Sequence, residues 1–174
     1  VGVTATTVAI GSAIRVVRSV RVALPNSVIV AGGAHPTFMP RQTLLDCPEL
    51  DLVVRGEGER TMLELTQALK GFQWRDSQDA RQRFMSPESN EFCKRVALVN
   101  GIAYRNPENA DEVVLTPNRP IIEDLDSIPF PARHLVPFDR YKLLGREVAI
   151  GFVMTSRGCP FSCTYCSSSK IVGK

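Results

Sequence analysis

Short apolar runs of strand length alternate with longer amphipathic stretches from Val1 to Gly71, and this alternation limits the fold more than any other feature. Val1–Ala5 is a first apolar run, closed by Thr6-Thr7. Ile10, Ile14, Val17, Val20 and Leu24 then recur at spacings of three and four, defining one face of a helix. Arg15, Arg18 and Arg21 are assigned to its solvated face, and Pro25-Asn26 stops it. Val28–Ala31 reads as a second strand, followed by the loop Gly32-Gly33-Ala34-His35-Pro36-Thr37. Pro40–Leu45 is long enough for one short helical turn. Asp51–Arg55 reads as a third strand, closed by Gly56-Glu57-Gly58-Glu59. A helix over Glu59–Lys70 turns Met62, Leu65 and Leu69 inward and stops at Gly71. Such alternation is the pattern of an α/β fold with an open parallel sheet.

In a sheet of this kind the loops leaving the strands share one edge, and ligands bind there. The loops carrying Thr4 and Thr6, Gly32 and Gly33, and Gly56 and Glu57 are therefore expected to converge. Two adjacent glycines remove two β-carbons and permit close backbone approach. Tight-turn geometry explains the same glycines, and pattern alone leaves both readings open. Glu57 and Glu59 argue against a bare phosphate as the ligand.

Phe72–Lys94 is mixed and polar, with a partly helical stretch expected near Ser77–Arg83 and packing roles for Trp74 and Cys93. Val96–Tyr104 and Val113–Leu115 read as a β-hairpin turned by Asn106-Pro107-Glu108-Asn109. Pro117, Pro120, Pro129, Pro131 and Pro137 exclude a long helix or central strand and mark an ordered, extended connector. Leu125 and Ile128-Pro129-Phe130-Pro131 are its expected apolar anchors.

Beyond the connector, Val148–Met154 reads as a buried strand leading into Cys159-Pro160-Phe161-Ser162-Cys163-Thr164-Tyr165-Cys166. Three thiols in one short run are soft ligands, suited to zinc, copper(I) or an iron–sulfur cluster. Four cysteines normally hold a [4Fe–4S] cubane, so three leave one iron open to a small molecule. A structural zinc site in a non-catalytic α/β binding module is the alternative. It needs a fourth ligand from Cys93 or His134, and only Cys163–Cys166 has the paired spacing such sites favour. Five cysteines with three so clustered are no disulfide framework, and a reducing, cytoplasmic compartment is expected. A net charge of +3 is too small to argue for nucleic acid, and no apolar stretch is long enough to span a bilayer. No signal peptide or initiator Met is visible, and Lys174 closely follows the last clustered cysteine. The chain is read as a stretch of a longer protein.

The run Cys159-x-x-x-Cys163-x-Tyr165-Cys166, with Thr155-Ser156-Arg157-Gly158 before it and Ser167-Ser168 after it, resembles the signature of the radical SAM superfamily. Gly32–Thr37, Val54–Glu59, Gly101–Arg105 and Asp124–Arg133 resemble its cobalamin-binding branch, which includes class B methyltransferases and the anaerobic magnesium-protoporphyrin ester cyclase type. The resemblance covers nearly the whole chain except roughly residues 72–94. It implies part of a Rossmann-like B12 domain over residues 1–72, a connection with hairpin and Pro-rich connector over 73–147, and the first strand and cluster loop of a radical SAM partial barrel over 148–174. Cys159, Cys163 and Cys166 would ligate a [4Fe–4S] cluster whose fourth iron binds S-adenosylmethionine, and one electron would then release a 5′-deoxyadenosyl radical. Tyr165 would lie near the adenine, and Thr4, Thr6, Gly32, Gly33, Gly56 and Glu57 near cobalamin. A small-molecule substrate and an electron donor such as flavodoxin or ferredoxin complete the implied partners. The Asp-x-His-x-x-Gly motif that supplies an axial histidine in many B12 proteins is absent, and His35 and His134 are expected to shape loops rather than bind cobalt.

Overall fold

Three of the apolar runs become a parallel core of strands: β1 Gly2–Thr4, β2 Val30–Gly32 and β3 Leu52–Val54, with Val30 between Gly2 and Leu52 in register. The computed structural model describes residues 1–74, 83–140 and 153–173. Helix α1 (Ile10–Ala23) joins β1 to β2. The short helices α2 (Ala34–Phe38) and α3 (Pro40–Asp46) join β2 to β3, and α4 (Glu59–Ala68) follows β3. After α5 (Pro87–Val96), the hairpin β4 (Ile102–Arg105) and β5 (Val113–Leu115) adds antiparallel to β3. The result is one mixed five-stranded sheet in the order β1-β2-β3-β4-β5, an α/β arrangement of Rossmann-like type.

Strand period two divides the core. Val30, Leu52, Val54, Ile102 and Tyr104 pack on one face with Leu65 of α4 and Phe92, Cys93 and Val96 of α5. Ala31, Val53 and Ala103 pack on the other with Val17 of α1 and Leu44 of α3. Trp74 is buried against Phe92 at 5.0 Å and Phe72 at 5.0 Å between ring centroids, so packing does account for it.

Four local readings are revised. The segment expected as a loop after β2 turns at once into α2, where Pro36 sits in the first turn, whose N–H groups have no intrahelical partner to lose. Residues 96–101 are not strand. They close α5, whose Ser89, Phe92, Cys93 and Val96 form a buried stripe at helical spacing within a polar sequence. Arg21 is not on a solvated face: it is buried and donates to Asp51 Oδ2 at 2.8 Å. Phe130 is 94% exposed rather than an anchor, whereas Ile122 is buried. Most of the expected helical stretch near Ser77–Arg83 lies outside the described residues, as does Val148–Met154 apart from its exposed last two residues.

Asp51 is the centre of a buried ionic node at the start of β3. Its carboxylate accepts from Arg21 Nη2 (2.8 Å), Arg83 Nη1 (2.7 Å) and the Ile29 N–H (2.6 Å). Arg21 also donates to the carbonyls of Pro25, Ser27 and Glu49. Arg105 donates to the carbonyls of Leu44, Cys47 and Leu50 around the end of α3. Burial pulls the Arg83 and Arg105 guanidiniums down from their usual range, and Asp51 opposes that pull.

The chain forms two compact units, Val1–Ile121 and Ile122–Lys174. In the second, single 3-10 turns at Leu125–Ser127, Arg133–Leu135 and Phe138–Arg140 interrupt the Pro-rich stretch. Asp124 Oδ1 accepts from the Asp126 N–H at 3.0 Å to begin the first turn. A last short helix, α6, covers Ser168–Ile171. No helix among the described residues is long and apolar enough to cross a membrane.

Candidate functional site

Because β1, β2 and β3 run parallel, the loops after Thr4, Gly32 and Val54 emerge on one edge, and hydrogen bonds tie them together. The Ala5 N–H donates to the Gly32 carbonyl (2.9 Å), and the His35 N–H returns to the Ala5 carbonyl (3.2 Å). His35 Nδ1 lies 3.2 Å from Thr7 Oγ1. Thr37 Oγ1 accepts from the Gly56 N–H at 3.0 Å. The convergence expected from the strand pattern is thus present in detail, and it is built by two side chains, His35 and Thr37, that the pattern assigned no ligand role.

The glycines do different jobs. Gly33 has φ 97°, and a β-carbon there would lie 2.6 Å from Thr4 Oγ1 and 2.8 Å from the Ala5 carbonyl. The space it frees is filled by the chain's own first loop. A β-carbon on Gly32 would meet only the Val54 carbonyl, at 3.9 Å. Gly56, at φ 72°, would meet nothing within 4 Å among the described residues. Gly32 and Gly56 therefore leave bare backbone open at the edge, while Gly33 locks the edge together. Thr4 and Thr6 are exposed and Glu57 is half-buried. Val8 (98% exposed), Phe38 and Met39 add apolar surface on the loops after β1 and β2.

The third loop is held from its other side. Arg55 Nη1 donates to Asn118 Oδ1 (2.7 Å) and Nη2 to the Thr116 carbonyl. Arg119 forks onto the Glu64 carboxylate and reaches Thr61 Oγ1 through Nε (2.8 Å). The fork holds the Glu64 carboxyl below its usual range.

In the second unit, the cysteine loop is closed by a bond from the Cys159 N–H to the Gly173 carbonyl (3.1 Å), and the Cys166 N–H donates to the Cys163 carbonyl (3.2 Å). Cys163 is exposed, Cys159 and Cys166 are half-buried, and Tyr165 is exposed. Cys166 Sγ lies 3.4 Å from Ser168 Oγ, and hydrogen bonding with the Ser168 side chain and backbone holds its thiol below the usual range. Among the described residues no three His, Cys, Asp or Glu stand close enough to hold a metal ion, so the three thiols share a loop without being gathered at one point. As a donor set they suit a thiophilic iron–sulfur cluster, since no carboxylate competes within the run and the thiolate form of Cys166 is favoured.

The remaining thiols are of another kind. Burial, then the Glu49 carboxylate, pushes Cys47 up to about 12, and burial pushes Cys93 up to about 11. The thiolate is the nucleophile, so at neutral pH an alkylating reagent should modify Cys159, Cys163 and Cys166 in the native chain, and Cys47 and Cys93 only after unfolding. Mass spectrometry before and after denaturation checks this. Labelling of Cys47 or Cys93 at a rate matching the loop thiols would contradict the burial described.

Residues 1–66, which contain all three converging loops, match the B12 binding domain family. The chain is 41% identical over 175 residues to an uncharacterized methyltransferase of Pyrococcus horikoshii, covering all of this chain and 32% of that protein. It is 38% identical over 170 residues to an anaerobic magnesium-protoporphyrin IX monomethyl ester cyclase of Rubrivivax gelatinosus, covering 98% of this chain and 27% of the relative. It is 30% identical over 166 residues to a cytidylyl-2-hydroxyethylphosphonate methyltransferase of Streptomyces wedmorensis, covering 86% of this chain and 29% of the relative. The chain thus spans about a third of the length of these curated relatives. The loops tied into one edge thus lie within the residues that match the B12 binding domain, and the chain aligns along most of its length with these methyltransferases and this cyclase.

Proposed function

We propose that this chain is part of a longer B12-dependent radical SAM enzyme, carrying much of the corrinoid-binding edge and the loop that holds the iron–sulfur cluster. The observation that carries the reading is the convergence of the loops after β1, β2 and β3 within the residues matching the B12 binding domain. Bare backbone at Gly32 and Gly56 suits close approach of a bulky ligand, and Val8, Phe38 and Met39 offer apolar contact to the methyl-bearing parts of a corrin ring. Thr4, Thr6, Gly32, Gly56 and Glu57 would border the corrinoid, and Gly33 would hold their loops in place.

Cys159, Cys163 and Cys166 would hold a [4Fe–4S] cluster and leave one iron for S-adenosylmethionine. When bound, that cluster supplies the electron for reductive cleavage of S-adenosylmethionine. The chain's own contribution is to favour the Cys166 thiolate through Ser168, to present Tyr165 as an exposed ring beside the last ligand, and to close the loop through the Gly173 carbonyl. Five free thiols accord with a reducing, cytoplasmic setting, and the cluster reading calls for a small reduced electron donor such as flavodoxin or ferredoxin.

Methyl transfer to an unactivated carbon or phosphorus of a small-molecule substrate is the favoured reaction, because two of the relatives described are named methyltransferases. Cyclisation is the second reading, favoured by the 38% identity to the ester cyclase. The test is uptake of hydroxocobalamin by the full-length protein. One corrinoid retained per chain through gel filtration is expected. Loss of all corrinoid on the column would overturn the B12 assignment.

A further inference from the structure

We propose that His35 and Thr37 are positioning residues, and that α2 is a two-sided bracket setting the spacing of all three loops at the ligand edge. The geometry follows from helix periodicity. Each residue advances about 100°, so residues two apart point to nearly opposite sides. His35 reaches back: its N–H donates to the Ala5 carbonyl, and its ring Nδ1 lies 3.2 Å from Thr7 Oγ1 on the loop after β1. Thr37 reaches forward and takes the Gly56 N–H at 3.0 Å on the loop after β3. The buried Pro36 between them fixes one backbone angle, and its missing N–H falls in the first turn, where none is needed. Gly33 precedes the helix as its N-cap, and its missing β-carbon lets it seat against Thr4 and Ala5. A single turn of helix therefore registers the first and third loops against the second.

Gly56 is the informative partner. Among the described residues nothing stands within 4 Å of where its β-carbon would be, so space does not demand a glycine there. Its φ of 72° is the left-handed conformation, available to glycine at little strain, in which its N–H meets Thr37. Thr37 thereby sets which backbone atoms of the third loop face the ligand edge. A hydroxyl acceptor is the requirement, and serine meets it where valine, of the same shape as threonine, does not.

This inference rests on the corrinoid reading for its ligand, and the experiment separates the two. Residue-resolved hydrogen exchange on the full-length protein without added corrinoid reads the bracket alone, while hydroxocobalamin titration of the same protein reads its consequence. Thr37→Val should speed exchange of the Gly56 amide about tenfold and weaken hydroxocobalamin binding roughly three- to tenfold, the range for one lost hydrogen bond. Thr37→Ser should restore both to within about twofold. His35→Ala and Thr7→Val should each weaken binding, with the double variant no worse than either alone, because they break one contact. Thr37→Val indistinguishable from wild type in both exchange and binding would overturn the bracket, as would a serine variant that behaves like valine. Wild type that retains no hydroxocobalamin while the exchange shifts appear as stated would sink the corrinoid reading and leave the bracket standing.

Discussion

Asp51→Ala is expected to lower the unfolding free energy by about 3–5 kcal/mol, the range for breaking a buried ion pair by removing one partner. The carboxylate is fully buried and is shared by Arg21, Arg83 and the Ile29 N–H. Removing it strands two guanidiniums in an environment already hostile to charge. Arg83 feels this most: its side chain has no exposure, and among the described residues its Nε and Nη2 have no hydrogen-bond partner even with Asp51 in place. Arg21 retains the carbonyls of Pro25, Ser27 and Glu49. A domain of this size is stable by about 5–15 kcal/mol in all, so the variant should approach the threshold of folding. Urea titration followed by far-UV circular dichroism measures it, with a midpoint lowered by about 2 M for a slope near 2 kcal/mol/M. A loss under about 1 kcal/mol would mean that the node is solvated rather than buried.

Gly33→Ala should be the most damaging single methyl at the ligand edge. Two effects add. The backbone sits at φ 97°, ψ −172°, a region open essentially to glycine alone, at about 1–3 kcal/mol for other residues. The new β-carbon would also lie 2.8 Å from the Ala5 carbonyl, a backbone atom that moves only if the first loop moves. Gly56→Ala supplies the comparison: its φ of 72° is the ordinary left-handed region, its surroundings are open, and roughly 1–2 kcal/mol is expected. Thermal melts should rank the two in that order, with Gly33→Ala also disrupting the bonds of the first loop to Gly32 and His35. Equal effects would show that strain alone, and not contact between the loops, fixes Gly33.

The parts of this fold visible in the sequence are those set by local rules. Short apolar runs at Val1–Ala5, Val28–Ala31 and Asp51–Arg55 marked the strands, and spacings of three and four marked α1 and α4, because each pattern depends on near neighbours only. Loop convergence followed from the parallel order. What escaped depends on partners far along the chain. Arg21 lies seven residues after Ile14 and four after Val17, on the inward stripe, but its counter-ion is 30 residues away and nothing local announces it. Asp51 interrupts the apolar run Leu50–Val54 for the same reason. Helix α5 was hidden by Glu88, Asn90, Glu91, Lys94 and Arg95, although Phe92, Cys93 and Val96 keep helical spacing. At the site, the Gly32-Gly33 pair was legible as a place of close approach. That Gly33 is approached by Thr4 and Ala5, while Gly32 and Gly56 stay open, required the three loops to be placed together.

We propose that one enzyme binds a corrinoid at the edge formed by the loops after β1, β2 and β3 and a cluster at Cys159, Cys163 and Cys166. Anaerobic reconstitution of the full-length protein with iron and sulfide, followed by reduction in the presence of S-adenosylmethionine, tests it most directly. About four irons per chain, a broad visible absorption that bleaches on reduction, and 5′-deoxyadenosine as product are expected, all lost when any one of the three cysteines is replaced by alanine and retained in Cys93→Ala. Stoichiometric zinc with no such absorption and no 5′-deoxyadenosine would contradict it.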